Sequence, residues 1–491
     1  MHAYFGQVWL VRLVLQRALA AIYLIAFIAV ERQFPALLGE HGLLPVPRFL
    51  AGRGFWDAPS LFHWGYSDRR LRVVAWSGII LAALVLLGIP QRGPIWLPVL
   101  VWLLMWALYL SLVNVGQTFF AFGWESMLLE AGFFAAFLGP SWMQASLIPV
   151  LALRWMLFRT ELGAGLIKLR HDECWRNLTC LEFHYETQPL PNPLSRAFHR
   201  LPKSAHRFSV AASHFVQVVA PWGLFLPQPI ASISGALAIL QQLLLIVSGN
   251  YSWLNWITVA LGFAAFSDAT LGVHNSLRGA PIPAAYLWVL VALALATVAA
   301  SIQPALNLFS RRQKMNYNYN PFHFVNTYGA FGSVTRVRYE VVLEATDEVV
   351  LTRATPWKEY HCKAKPGDPA RRPPQVAPYH LRLDWLLWFL PFSVEVYQRG
   401  IFVPRHERWF VELVHKLLLC DAATLALFRE APFRAERRPA YVRALYYKYR
   451  FTTREEQRQT GAWWHRELLG EYLPPLSLRS FESRHGAAEW R

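Results

Sequence analysis

Long apolar runs alternate with polar connections over roughly the first 300 residues of the chain. Each run is close to the ~20 residues that a helix needs to cross a bilayer. The runs lie at residues 13–30, 73–89, 95–113, 118–138, 142–158, 208–226, 229–247, 253–273 and 284–303. The pattern predicts a membrane all-α bundle of about nine transmembrane helices.

The pattern changes completely after residue 307. Between Arg336 and Lys365 apolar and polar residues alternate, as in half-buried β-strands. Helical patterns follow at 380–392 and 408–429. We therefore expect two units: a multi-pass transmembrane helical domain at 1–307, interrupted by a long polar loop at 159–207, and a water-facing, β-containing α+β domain at 308–491.

The order of the runs constrains which parts of the chain share a side of the membrane. The long loop follows the fifth run and the C-terminal domain follows the ninth, so an even number of crossings separates them. The two are therefore expected on the same side, where they can form one surface. The basic residues of the first loop, the long loop and 311–314 would place that side in the cytoplasm by the positive-inside rule.

Composition supports a membrane protein. Hydrophobic residues make up 55% of the 491 residues and charged residues only 16%, against about 25% charged in soluble domains. The net charge of +17 could indicate nucleic-acid binding, but no nucleic-acid motif is present. Membrane lipid is the expected partner of the basic loops.

Several charged residues interrupt the apolar runs or extend the fifth helix: Glu125, Glu130, Arg154, Glu161 and Lys168. Such charges are costly in a bilayer and are usually paired or functional. One interpretation is structural, with Glu125 or Glu130 paired to Arg154 or to the arginine at position 159. The other makes Lys168 a partly desolvated base at a membrane-facing pocket.

The sequence contains few signals of catalysis. We find no nucleophile elbow, phosphate-binding glycine loop or dinucleotide fingerprint. The histidines of the long loop fit no helical zinc signature. Neither a metal site nor a cofactor is expected.

Aromatic residues concentrate at 316–332, which combines the segments NYNYNPFHF and NTYGAFG. Turn residues between exposed-type aromatics are typical of an interfacial belt or a docking surface. A packed junction between the bundle and the C-terminal domain is an equally good interpretation.

Many segments of the chain resemble the lipase maturation factor family. They are the segments at 174–180 (CWRNLTC), 183–193, 248–250, 254–256, 325–332, 338–340, 357–360, 372–374, 377–380, 382–385 and 388–389. The resemblance implies a multi-pass protein of the endoplasmic reticulum membrane that helps homodimeric lipases to fold and assemble, with no enzymatic activity. Its C-terminal domain would contact the lipase-like client in the lumen.

The resemblance also implies roles for particular residues. In the oxidising compartment that the resemblance implies, Cys174 and Cys180 would form a disulfide, whereas in a reducing compartment they would be two free thiols. The candidate client-binding residues are Tyr317, Tyr319, Phe322, Tyr328, Phe331, Tyr379 and Trp385. The chain is rich in Arg and Ala in a way that indicates a bacterial source, in which case the location would be the inner membrane and the domain would face the periplasm.

A second, shorter resemblance concerns 165–169 (GLIKL), closely followed by the tryptophan at 175. This segment is similar to the part of vitamin K-dependent gamma-carboxylases that carries a lysine base. It implies the alternative function of a membrane enzyme that uses Lys168.

Overall fold

The fold is taken from a computed structural model, which describes residues 2–273, 279–397 and 400–485. Helices make up most of the described chain before residue 310, as expected where lipid requires each segment to pair its own backbone groups. The α-helices are α1 (His2–Phe5), α2 (Trp9–Leu38), α3 (Val46–Leu50), α4 (Asp68–Leu87), α5 (Trp96–Asn114), α6 (Gln117–Phe120), α7 (Gly123–Ala135), α8 (Leu147–Arg170), α9 (Glu173–Arg176), α10 (Leu181–Thr187), α11 (Ser195–His199), α12 (Lys203–His214), α13 (Ile230–Ser248), α14 (Leu254–Gly262), α15 (Ala284–Ala300) and α16 (Ile302–Phe309).

Shorter helical turns connect or extend these helices. Helix α12 continues as a π-helix, Phe215–Val219, and then as a 3-10 helix, Ala220–Phe225. The other 3-10 helices are Phe55–Asp57, Leu61–Trp64, Pro90–Arg92, Ala136–Leu138, Phe263–Ala265 and Leu390–Ser393.

Six helical segments among the described residues are long and apolar enough to cross a membrane: Trp9–Leu38, Asp68–Leu87, Trp96–Asn114, Lys203–Phe225, Ile230–Ser248 and Ala284–Phe309. The other three predicted runs also form helices, but α7 has 13 residues and α14 has nine. Helix α8 has 24 residues, five of them charged. Length and composition therefore do not confirm nine crossings.

The C-terminal part contains the expected strands. Four antiparallel strands form a sheet in the order β2-β1-β5-β6, and two more form a separate hairpin. The elements are β1 (Arg338–Thr346), β2 (Lys358–Glu359), α17 (Arg382–Leu387), β3 (Glu395–Tyr397), β4 (Gly400–Phe402), α18 (Arg408–Leu418), α19 (Ala422–Leu425), β5 (Tyr441–Phe451), α20 (Arg454–Thr460), β6 (Trp464–Leu476) and α21 (Leu478–His485).

Helix α18 shows how this domain builds its core. Its buried residues Phe410, Leu413, Val414 and Leu417 recur at the spacing that places them on one face. That face contacts β5. The sheet is therefore covered by a helix on one side, as in other α+β domains.

The C-terminal domain lies against one end of the bundle. Near the end of α2, the Gln33 amide donates to the His380 carbonyl at 2.7 Å. The opposite end of the bundle holds the start of α2, where the Trp9 amide donates to Asp268 at 2.7 Å. Within the described residues, the domain thus caps one end of the bundle and does not contact the other, which we call the free end.

Candidate functional site: the face shared by the long loop and the C-terminal domain

The polar connection after α8 and the C-terminal domain are joined by buried hydrogen bonds. Arg338, at the start of β1, donates to the carbonyls of Glu186 at 3.0 Å and Pro189 at 3.1 Å. The same guanidinium pairs with Glu340, which also pairs with Lys365. The connection begins at residue 171 and not at 159, because α8 continues to Arg170.

The first part of this connection is a small loop closed by a disulfide between Cys174 and Cys180. Two contacts hold it in place. The Trp175 indole donates to the Phe331 carbonyl at 2.7 Å, and Arg336 pairs with Asp172 at 2.7 Å. The Arg336 hydrogen bond lowers the pKa of the Asp172 carboxyl to about 2.

The same loop contains the one candidate metal group found among the described residues. Asp172, Cys174 and Cys180 bring their ligand atoms within 4.8 Å of one another. Metals bind cysteine as the thiolate, and both sulfurs here are in the disulfide. The group does not suit a metal while that bond is intact.

The acidic residues of α7 connect the bundle to the residues that follow it. Glu125 pairs with Arg382 of α17 at 2.7 Å and accepts a hydrogen bond from Tyr109. Glu130 pairs with Arg159. Sequence reasoning considered Arg159 as a partner for these glutamates but missed Arg382, which is distant in the chain.

The basic and acidic residues of α8 have different environments. Arg154 donates to backbone carbonyls, at 3.0 Å to both Ala264 and Leu224, and so is not the partner of a glutamate. Gln217 accepts from Lys168 at 2.8 Å and donates to Glu161 at 3.1 Å. The π-helix that contains Gln217 places its amide between these two charged residues.

The predicted client-binding aromatics divide by exposure. Tyr317 is 43% exposed, and Tyr319, Phe322, Phe331 and Tyr379 are half-buried. Tyr328 and Trp385 are buried, which corrects the prediction that they form an exposed docking surface. The Tyr328 hydroxyl donates to Glu130 at 2.7 Å, and Trp385 packs edge-on against Trp124, with their ring centroids 4.9 Å apart.

A different set of apolar residues is exposed on the C-terminal domain. We call it the hairpin surface: Phe389, Phe392, Val396, Tyr397, Phe402 and Leu468. Phe392 is 51% exposed and Phe402 is 55% exposed. A cleft of about 470 Å³ lies beside it, between Phe392, Trp409 and Phe122 of the bundle. Sequence reasoning missed this surface, although 388–389 was among the recognised segments.

Family models match both parts of the chain. The family model described as lipase maturation factor transmembrane domain matches residues 10–273, and the one described as lipase maturation factor C-terminal domain matches 324–474. No solved structure matches the chain.

Curated relatives extend over nearly the whole chain. Lipase maturation factor 1 of Bos taurus is 40% identical over 99% of this chain and 92% of its own length. The Homo sapiens protein of the same name is 40% identical over 97% of this chain and 89% of its own length. Lipase maturation factor 2 of Xenopus laevis is 28% identical over 94% of this chain and 81% of its own length.

These matches decide between the two resemblances. They give no support to the carboxylase alternative or to a bacterial source. The apolar helices and the family together establish a multi-pass membrane protein. The chain belongs to the lipase maturation factor family.

Proposed function

We propose that this protein assists the folding and assembly of a secreted, lipase-like client at the face that the long loop and the C-terminal domain share. The hairpin surface carries this proposal. Incompletely folded proteins still expose apolar area, and a factor that holds them needs apolar area of its own. An exposed aromatic group on a water-facing domain meets that need.

The proposed topology has nine crossings, with α7, α8 and α14 spanning together with the six longer helices. The capped and free ends of the bundle support it. The N-terminus lies at the free end and the C-terminal domain at the other, as an odd number of crossings requires. The units are 1–307 and 308–491.

We place the shared face in the lumen of the endoplasmic reticulum, or in the periplasm if the source is bacterial. The Cys174–Cys180 disulfide supports an oxidising compartment. The basic residues of the first loop, the long loop and 311–314 favour the opposite orientation, and the disulfide is the observation that we weigh against them.

In this proposal Lys168 has a structural role. Its ammonium is buried, donates to Gln217 and lies 4.7 Å from the centroid of the Trp175 ring. These contacts link α8 to the disulfide loop. The protein then acts by binding its client and not as a catalyst.

The test compares recovery of active secreted lipase at equal expression of each variant. Phe392→Ala and Phe402→Ala should each lower recovery severalfold, because truncating a docking aromatic can cost roughly 2 kcal/mol of binding. Val350→Ala, which removes a still more exposed apolar side chain outside the hairpin surface, is the control. Loss of recovery in Lys168→Met alone would reject the proposal in favour of catalysis.

A further inference from the structure

A second cleft, of about 270 Å³, opens where α5 ends against the segment 316–323. Its polar lining consists of side-chain amides, one hydroxyl and one imidazole: Asn114, Gln117, Ser126, Asn316, Asn318 and His323. No charged side chain lines it among the described residues. This cleft is separate from the hairpin surface and its 470 Å³ cleft, although Ala121 and Phe122 border both.

Part of the lining is fixed by the protein itself. His323 is held by Asn114 at 3.0 Å and by Ser126 at 2.9 Å. Burial lowers the pKa of His323 to about 4, so its imidazole is neutral near pH 7. The cleft therefore offers a neutral, oriented set of hydrogen-bonding groups.

Another part of the lining is left without a partner. The Asn318 Oδ1 atom is buried, and no hydrogen-bond donor reaches it within the described portion of the chain. A buried acceptor without a donor costs about 1–3 kcal/mol. A ligand reaches this atom when the Asn318 side chain rotates toward the cleft, and a donor met there would remove that cost.

The backbone around the cleft is also held in an uncommon conformation. Gln117, Asn316 and His323 have φ of +47°, +53° and +57°. A non-glycine residue with positive φ is strained and is found more often at binding and active sites than elsewhere. Three of the residues that line this cleft therefore have an uncommon backbone conformation.

The chemistry of the lining selects the class of ligand. An amide presents both donors and an acceptor, and so matches hydroxyl groups, which also donate and accept. Phe120 and Phe122 form an apolar wall of the cleft. A charged ligand would find no counter-ion in this lining.

We propose that this cleft binds a neutral sugar, with its hydroxyls on the amides of Gln117, Asn316 and Asn318 and its apolar face toward the aromatic wall. The volume is just below the roughly 300–1,000 Å³ of typical small-molecule sites, which suits a single ring. The sugar is either a free oligosaccharide or the glycan of a bound glycoprotein.

Binding is measured on the full chain in phosphatidylcholine nanodiscs, because a maltoside detergent would itself present a sugar. The probes are neutral trisaccharides of glucose, of mannose and of N-acetylglucosamine. Titration calorimetry measures the binding of each probe. We expect saturable binding of at least one probe. Asn318→Leu should weaken it about tenfold, the effect of one lost hydrogen bond.

Asn318→Leu is a suitable variant because, within the described residues, the Oδ1 atom that it removes accepts no hydrogen bond, so no protein contact of that atom is lost. Gln144→Leu, an exposed amide at the opposite end of the bundle, is the matched control. Binding of no probe, equal binding by Asn318→Leu, or displacement of the sugar by an uncharged capped tetrapeptide would overturn the proposal.

The source of the sugar is distinguished by a glycoprotein tested before and after enzymatic removal of its glycans. Capture that requires the glycans assigns the cleft to protein-linked sugar, and binding of the trisaccharide alone assigns it to a free one. Both results support a sugar site. Equal capture of the deglycosylated protein, undiminished in Asn318→Leu, contradicts it.

Discussion

Glu125 and Arg382 lie 257 positions apart in the chain, yet they form a fully buried ion pair. The sequence showed that Glu125 interrupts an apolar run and needs a partner. It could not show the partner, because the nearest candidates lay on neighbouring spans and the actual one lies in the C-terminal domain. Glu130 pairs with Arg159, which lies within the bundle and was one of the candidate partners.

Removing one member of this pair should be strongly destabilising. Arg382→Met leaves Glu125 buried without its cation. Breaking a buried ion pair in this way typically lowers the free energy of unfolding by about 3–5 kcal/mol. The measurement is the thermal unfolding midpoint of the purified protein in detergent. Arg372→Met, at an exposed arginine of the same domain, is the control, and equal midpoints for the two variants would show that the pair does not stabilise the junction.

The Asp172–Arg336 pair predicts a pH dependence. The folded pKa of Asp172 is lowered from 3.8 to about 2, so the carboxylate stabilises the folded state above about pH 4 and loses that contribution as the pH falls toward 2. Because the pair is partly exposed, we expect about 1 kcal/mol. Unfolding midpoints at pH 5 and pH 2.5 should differ less in Asp172→Asn than in the parent; an identical difference in both would exclude this contribution.

At the scale of elements, the sequence predicts secondary structure best where a hydrophobic pattern extends over many residues. Each of the nine apolar runs contains a helix, and the strands begin where alternation was seen, at β1. The aromatic segments were less predictable, because an aromatic residue suits both a core and a surface. Tyr328 is buried and donates to Glu130 of a distant helix, whereas Phe392 and Phe402 belong to short elements with little sequence pattern.

The linker between α16 and the C-terminal domain predicts a result in limited proteolysis. Arg311, Arg312 and Lys314 are exposed, so trypsin should cut there first. The two fragments should remain together under native conditions, because buried ion pairs such as Arg382–Glu125 connect them. Separate bands on a denaturing gel with one peak in size-exclusion chromatography are expected; release of a free domain would show that the junction is weak.

At the scale of the whole molecule, the nine-crossing topology separates positions 144 and 203. Four crossings precede the first and five precede the second, so the two lie on opposite sides of the membrane. If only the six longer helices crossed, three crossings would precede both positions. Their accessibility therefore distinguishes the two topologies.

Cysteines introduced as Gln144→Cys and Lys203→Cys, each in a background with Cys362 and Cys420 replaced by Ser, report this accessibility. In sealed vesicles a membrane-impermeant maleimide should label only one of the two. Detergent should then make both reactive, which controls for buried cysteines. Labelling of both in intact vesicles would contradict nine crossings.

The central claim is that the hairpin surface holds a client that has not finished folding. The most direct measurement places a photo-crosslinking amino acid at position 392, or at position 349 as an exposed control on the same domain, and irradiates membranes at intervals after lipase synthesis begins. We predict crosslinks from position 392 to newly made lipase that disappear as the lipase becomes active, and few from position 349. Equal crosslinking from both positions, or crosslinks that persist with active lipase, would contradict the account.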